Sequence, residues 1–193
     1  MDKVLKFSKE LEYINSDKVK KACQEMIKLL PDYFFEVPAS STGKYHPEYA
    51  LGEGGLLRHS KAAARIGHEL LEDLSIGDKY TALEKDLMIM ALILHDGLKS
   101  GLTQEKYTRF DHPILMVDYI MDNEDKLDLD IPEIEFVCDV IKTHMGNWTT
   151  DYNGVEVLEQ PKTKYQNFVH MCDYLASRKC ILLPFDENNE ISV

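Results

Sequence analysis

Residues 81–99 read TALEKDLMIMALILHDGLK, and this stretch decides the fold. From Leu87 to Leu94 the side chains are apolar without a break. A helix with no polar face must be covered on every side, so the run predicts a central helix over Thr81–Leu94 inside a bundle of other helices. It ends on His95-Asp96, set against Gly97. An imidazole and a carboxylate at the end of a buried helix are expensive to desolvate unless both are satisfied, and one cation would satisfy both. The same dipeptide also reads as a histidine capping a helix C-terminus beside an aspartate in a turn. Taken alone, it leaves both readings open.

Outward from this segment the chain alternates helical periodicity with turn chemistry. A first helix is expected from Asp17, as N-cap, with Val19, Cys23, Met26, Ile27 and Leu30 on one side and Pro31 as its stop. Residues 31–55, PDYFFEVPASSTGKYHPEYALGEGG, are rich in Pro, Gly, Ser and aromatic residues and predict a long, irregular, ordered loop. Helical spacing returns over Leu56–Leu74, His112–Met121, Glu133–Lys142 and Asn167–Lys179. The one strand signal is Val155–Leu158, which predicts a small hairpin around Asn153-Gly154. The expected fold is all-α, a helical bundle with at most that hairpin. It is expected to form one domain over 1–193, with a loose tail at 185–193.

The formal net charge of −12 argues against a surface built to neutralise a long nucleic acid, while leaving room for a small phosphate ester beside bound cations. Cys23, Cys138, Cys172 and Cys180 form no CxxC pair. With no disulfide framework, no signal peptide and no apolar run long enough to span a bilayer, a cytoplasmic protein without membrane contact is expected. Self-association is compatible with this reading.

Beyond the His95-Asp96 pair, several residues stand where a lone polar group invites explanation. His59 follows an irregular Gly-Gly-Leu-Leu-Arg lead into a helix, and Asp173 lies within an apolar helical stripe. His112 opens one helix and His144 closes another, and each of these positions also reads as a cap. In chain order the set His59, His95-Asp96, His112, His144, Asp173 resembles the HD-domain superfamily of helical, metal-dependent phosphohydrolases. The local wording is similar too: GGLLRHS (54–60), ALILHDGLKSG (91–101) and VHMCDYLASR (169–178). The resemblance covers roughly residues 50–180, leaving an N-terminal helix and loop at 1–49. It implies that His59, His95, Asp96 and Asp173 hold one divalent ion. It further implies that His112 and His144 hold a second, with Asp96 bridging the two. The HDIGK wording of several branches reads HDGLK here, which keeps Lys99 at the same offset as a phosphate contact while Gly97 and Leu98 are exchanged. The GYP motif of cyclic-dinucleotide hydrolases is absent, which counts against that substrate.

The chemistry so implied is hydrolysis of a phosphoester of a nucleotide or short oligonucleotide by metal-activated water, with Asp96 and Lys99 as catalytic residues. Mn, Fe, Ni or Mg suit the imidazole and carboxylate donors, manganese among them. Lys99, Lys44, His46, Arg58 and Trp148 are the expected substrate contacts, with Arg109 a weaker candidate. Tyr45 or Trp148 would stack on a base, and Glu53 would steady a ligand histidine. An alternative from another class is a regulatory module that binds a nucleotide without turning it over. Its mark would be a lost ligand, and none of the six is missing.

Overall fold

The computed structural model describes residues 2–40, 42–44 and 46–192. The described residues form eight α-helices and no named strand: α1 (Ser8–Leu11), α2 (Asp17–Leu29), α3 (Gly55–Glu72), α4 (Leu74–Gly77), α5 (Ala82–Leu94), α6 (His112–Met121), α7 (Ile131–Ile141) and α8 (Lys164–Ala176). The all-α expectation holds. None of these helices is long and apolar enough to cross a membrane.

Helix α5 is the axis, as its composition demands. Every residue from Leu87 to Leu94 is buried, and α2, α3, α7 and α8 pack around it. Thr81 starts the helix through a capping box in which its hydroxyl accepts from the Glu84 N–H and the Glu84 carboxylate accepts from the Thr81 N–H. Thr163 and Gln166 build the same device at the start of α8. One hydrophobic core runs from Phe7 to Ala176. Cys23, Cys138 and Cys172 are buried in it as free thiols, and Cys180 is exposed.

Helix bounds differ from the sequence reading in instructive ways. The cap of α2 is Ser16 rather than Asp17, because the serine hydroxyl accepts from the Val19 N–H three residues on. The segment read as Leu56–Leu74 breaks at Asp73, whose carboxylate accepts from the Ser75 N–H and begins the short α4. Helix α8 starts three residues earlier than expected, at the Thr163 cap. The expected hairpin reduces to a single antiparallel bridge between Thr150 and Glu156. There the Asp151 carboxylate takes the N–H groups of Asn153 and Val155, so a tight side-chain-closed turn replaces a strand ladder.

The long loop before α3 is ordered by backbone bonds: Ala39 N donates to Ala50 O, Gly54 N to Glu36 O and Leu56 N to Val37 O. Gly55 permits this. A Cβ there would stand 2.3 Å from the Ala50 carbonyl oxygen, so a side chain would push the loop off the first turn of α3.

The loose tail is corrected. Phe185 bridges Ile191, and the turn between them closes on the Asp186 carboxylate, which accepts from Asn188 N and Glu190 N. Ile191 is buried. The Glu190 carboxylate reaches into the molecule to meet Lys61 Nζ at 2.5 Å, and Glu10 of α1 approaches the same ammonium at 3.6 Å. A buried lysine on α3 thus ties both ends of the chain to the bundle.

Two carboxylates share one ammonium here, which has a pH consequence. Burial pushes Glu10 up to about 7 against the pull of Lys61, with Glu190 adding to the rise. An acid whose pKa is higher folded than unfolded binds its proton more tightly in the native state. Its contribution is complete below the ordinary value of 4.5 and is lost as pH climbs toward 7. Glu10→Gln is therefore expected to flatten the decline in Tm between acid and neutral pH and to raise Tm at pH ~8 by a few degrees. Thermal melts of both proteins across that range check it, and parallel Tm–pH curves would refute it.

Candidate metal centre

His95 sits at the C-cap of α5 and His144 three residues past the end of α7, where helix carbonyls have no partner within the helix. His112 is the first residue of α6. Each turns its Nδ1 back to the carbonyl three residues earlier: His95 donates to Leu92 O at 2.8 Å, His112 to Arg109 O at 2.7 Å and His144 to Ile141 O at 2.8 Å. With Nδ1 committed to a carbonyl, the Nε2 of each ring is the atom turned toward the centre. His59, on the second turn of α3, and Asp173, in the middle of α8, bring the remaining donors.

All six side chains meet at one place. His59 Nε2 lies 2.9 Å from Asp173 Oδ1 and 3.4 Å from His95 Nε2. His95 Nε2 lies 3.4 Å from Asp173 Oδ1. His112 Nε2 and His144 Nε2 stand 3.1 Å apart. Asp96 lies between the two groups and serves both. Its Oδ2 is 3.5 Å from both His59 and His95, while its Oδ1 is 3.1 Å from His112 and 3.6 Å from His144. Two donor clusters joined through one carboxylate are the result. Within them, His59, His95 and Asp173 lie close enough to hold one cation, as do His95, Asp96 and His144.

The electrostatics match the geometry. Burial alone would raise Asp96, but the Lys99 ammonium and the surrounding imidazoles hold it well below the usual carboxylate range. Asp173 is likewise held low, against its burial, by hydrogen bonds with His59 and His95. Burial pushes His144 down to about 4, so at neutral pH its lone pair faces another imidazole nitrogen and a carboxylate oxygen. His95 is driven the other way, with Asp96 and Asp173 outweighing its burial. Imidazole nitrogens and carboxylate oxygens converge here at 3.1–3.6 Å, and a cation among them would accept the lone pairs of all of them. The residues present therefore fit a divalent metal centre.

The expected substrate contacts divide. Lys99, His46 and Trp148 line a cavity of about 170 Å³ over this centre, with Asp96, His112, His144 and Asp173 in its floor. Lys99 Nζ reaches Asp96 Oδ2 at 2.5 Å. His46 stands edge-on to His59 with ring centroids 5.2 Å apart, and burial pushes it down to about 3, leaving a neutral ring.

Lys44 and Arg58 do not line the cavity. Neighbours on a helix point about 100° apart, so turning His59 inward sends Arg58 to the loop side. There Arg58 bonds the carbonyls of Tyr49 and Leu51 and the side chain of Asn189, bracing loop and tail together. Lys44 is exposed on its loop. Arg109 is committed to Glu105 and Asp111, and its contribution to the centre is the carbonyl that holds His112. Glu53 is exposed; His95, His112 and His144 bond backbone carbonyls instead. Tyr45 lies outside the described residues.

Sequence reasoning missed His170, Tyr174, Ser177 and Arg178, which line the cavity beside Asp173. Their spacing carried part of the signal, because 173, 174 and 177 stand at i+3, i+4 and i+7 from His170, while Arg178 lies past the end of α8.

No curated protein and no solved structure matches the chain. One family model does, described as HD domain, over residues 56–178. That span opens just before His59 and closes just after Asp173, so it takes in all six converging side chains. The chain belongs to the HD-domain superfamily of metal-dependent phosphohydrolases.

Proposed function

We propose that this chain hydrolyses a phosphoester of a nucleotide or a short oligonucleotide. His59, His95, Asp96 and Asp173 would hold one divalent cation, and Asp96, His112 and His144 a second. The observation that carries the reading is the split carboxylate of Asp96, one oxygen facing each histidine pair. Bound divalent cations supply Lewis-acid chemistry, acidifying water toward neutral pH and polarising a phosphoryl oxygen. Four imidazoles against two carboxylates favour Mn, Fe or Ni over magnesium, which prefers oxygen donors.

The chain's own residues do the rest. Lys99 presents an ammonium at the cavity floor, where a phosphate oxygen would take over part of its bond to Asp96. The i−3 carbonyl bonds fix three imidazoles in one tautomer and one orientation before substrate arrives. Ala39, Met145 and Trp148 wall the cavity and restrict water around the reacting phosphorus. The net charge of −12 supports a small substrate over a long nucleic acid.

The test is a screen of manganese-loaded protein against nucleotides, cyclic dinucleotides and short oligonucleotides, following release of phosphate or nucleoside. Turnover of a nucleotide or a short oligonucleotide is expected. Metal-bound protein inert toward every phosphoester would replace the enzyme with a nucleotide-binding module. Lys99→Ala is expected to keep its metal and lose roughly 10–100-fold in kcat/KM, about 1.4 kcal/mol per decade. Wild-type kinetics in that variant would remove the lysine from the mechanism.

A further inference from the structure

The cavity over the metal centre continues sideways. Met145, Trp148, His170 and Tyr174 line it, and the same four side chains line a second hollow of about 190 Å³, completed by Asn147. We propose that this outer hollow is a nucleobase subsite, with the base stacked against Trp148, His170 and Tyr174 while its phosphoester lies over the metal ligands. The inference rests on the phosphoester reading above and adds to it where the base goes and which side chains select it.

Size gives the first reason. Each hollow alone falls below the roughly 300 Å³ at which small-molecule sites begin, while the two together reach it. A ligand that fills both must therefore pass along the wall they share. The second reason is the chemistry of that wall. Three aromatic rings, a thioether and an amide line the outer hollow, with no carboxylate among them. Trp148 is 56% exposed and has no ring partner among the described residues. An indole left open to solvent beside a charged centre suits a flat heteroaromatic ligand, because every base offers a stacking face.

Preorganisation is the third reason. His170 is fixed by the bond its Nδ1 donates to the His144 carbonyl at 2.7 Å. Its ring lies on Gly146, at φ +65, where a Cβ would come within 2.1 Å of His170 Cε1. The glycine is needed both for the left-handed turn and for the ring above it. His170 therefore presents a rigid face, with Nε2 left to bond a base edge. Arg178 extends the wall toward the inner cavity. Its guanidinium stacks 4.2 Å from the Tyr174 ring centroid and donates to Ser177 Oγ at 2.7 Å. It has no carboxylate partner among the described residues, so its charge is available to the phosphate or ribose of the same ligand.

Trp148 is the only tryptophan in the chain, so its emission reports on this subsite alone. The experiment titrates the metal-loaded protein with inorganic phosphate, ribose 5-phosphate and the four nucleoside 5′-monophosphates, reading indole emission and binding heat together. At least one nucleotide is expected to quench the emission saturably and to bind on the order of tenfold or more tighter than ribose 5-phosphate. Tyr174→Ala, which keeps the fluorophore, should weaken the quench, and Trp148→Ala should erase the preference for nucleotide over ribose 5-phosphate. Nucleotides that bind no tighter than ribose 5-phosphate, or that leave the emission unchanged, would overturn the subsite while the phosphoester reading stands. No binding heat with any of these phosphates, the inorganic ion included, would overturn both.

Discussion

Asp96→Ala is expected to lower kcat/KM by about a thousandfold or more, roughly 4 kcal/mol of transition-state stabilisation, and to strip metal from the protein. Asp96 is the one side chain whose two oxygens face different histidine pairs. Its removal deletes a donor from both clusters at once and leaves Lys99 without its carboxylate partner. A ligand used by one cluster alone has a narrower effect. The measurement is turnover on the best substrate of the screen, with metal content by elemental analysis on the same sample. A variant that retains full rate and full metal would show that the centre is misassigned. Asp96 lies beyond the last turn of α5, so the change leaves the apolar core of the bundle in place.

The second large effect concerns stability. Lys61→Ala is expected to destabilise the fold by about 3–5 kcal/mol, the usual result of stripping a buried ion cluster of its counter-charge. The ammonium is fully buried and stands between Glu10 of α1 and Glu190 of the tail. Without it both carboxylates are left in a desolvated site, and Glu10 is already pushed up by burial. For a chain of this size the expected drop in Tm is about 10 °C or more. The tail should also detach, exposing Ile191 and the turn at 186–190 to protease before the bundle unfolds. Thermal melts and limited proteolysis read the two consequences separately. A Tm within a degree or two of wild type, with the tail still protected, would mean that the cluster is structurally idle.

Much of the framework is legible in the sequence because it follows from local rules. The unbroken apolar run of α5 forces burial, and the His95-Asp96 pair at its end stands out because such groups cannot be buried unpaired. His59 and Asp173 could be joined to that pair by resemblance alone. Nothing local shows that residues 59 and 173, more than a hundred positions apart, meet in space. The structure departs from the expectation for Glu53 for a physical reason. An acidic residue such as Glu53 looks like a partner for a histidine, yet the backbone carbonyl three residues back already lies within reach of the same ring. The imidazoles at 95, 112 and 144 each use it without needing another side chain.

Arg58 and Lys61 show a similar limit. In sequence both are cations on an amphipathic helix, one of them beside His59. Their roles depend on Asn189 and Glu190, which arrive from the far end of the chain. A polar tail reads as loose until its buried partners are known. The aromatic wall is half legible: Trp148 stands out as the single tryptophan, whereas Tyr174 and Arg178 join it only once the direction in which α8 turns Asp173 is fixed.

The ratio of metal to chain after equilibration with manganese and removal of free ion tests the central claim most directly. Two equivalents in the wild-type protein are predicted, falling by one in His112→Ala, whose imidazole faces only the Asp96 Oδ1 side of the centre. A wild-type chain that retains no metal, or a His112→Ala protein that binds as much as the wild type, would contradict the account.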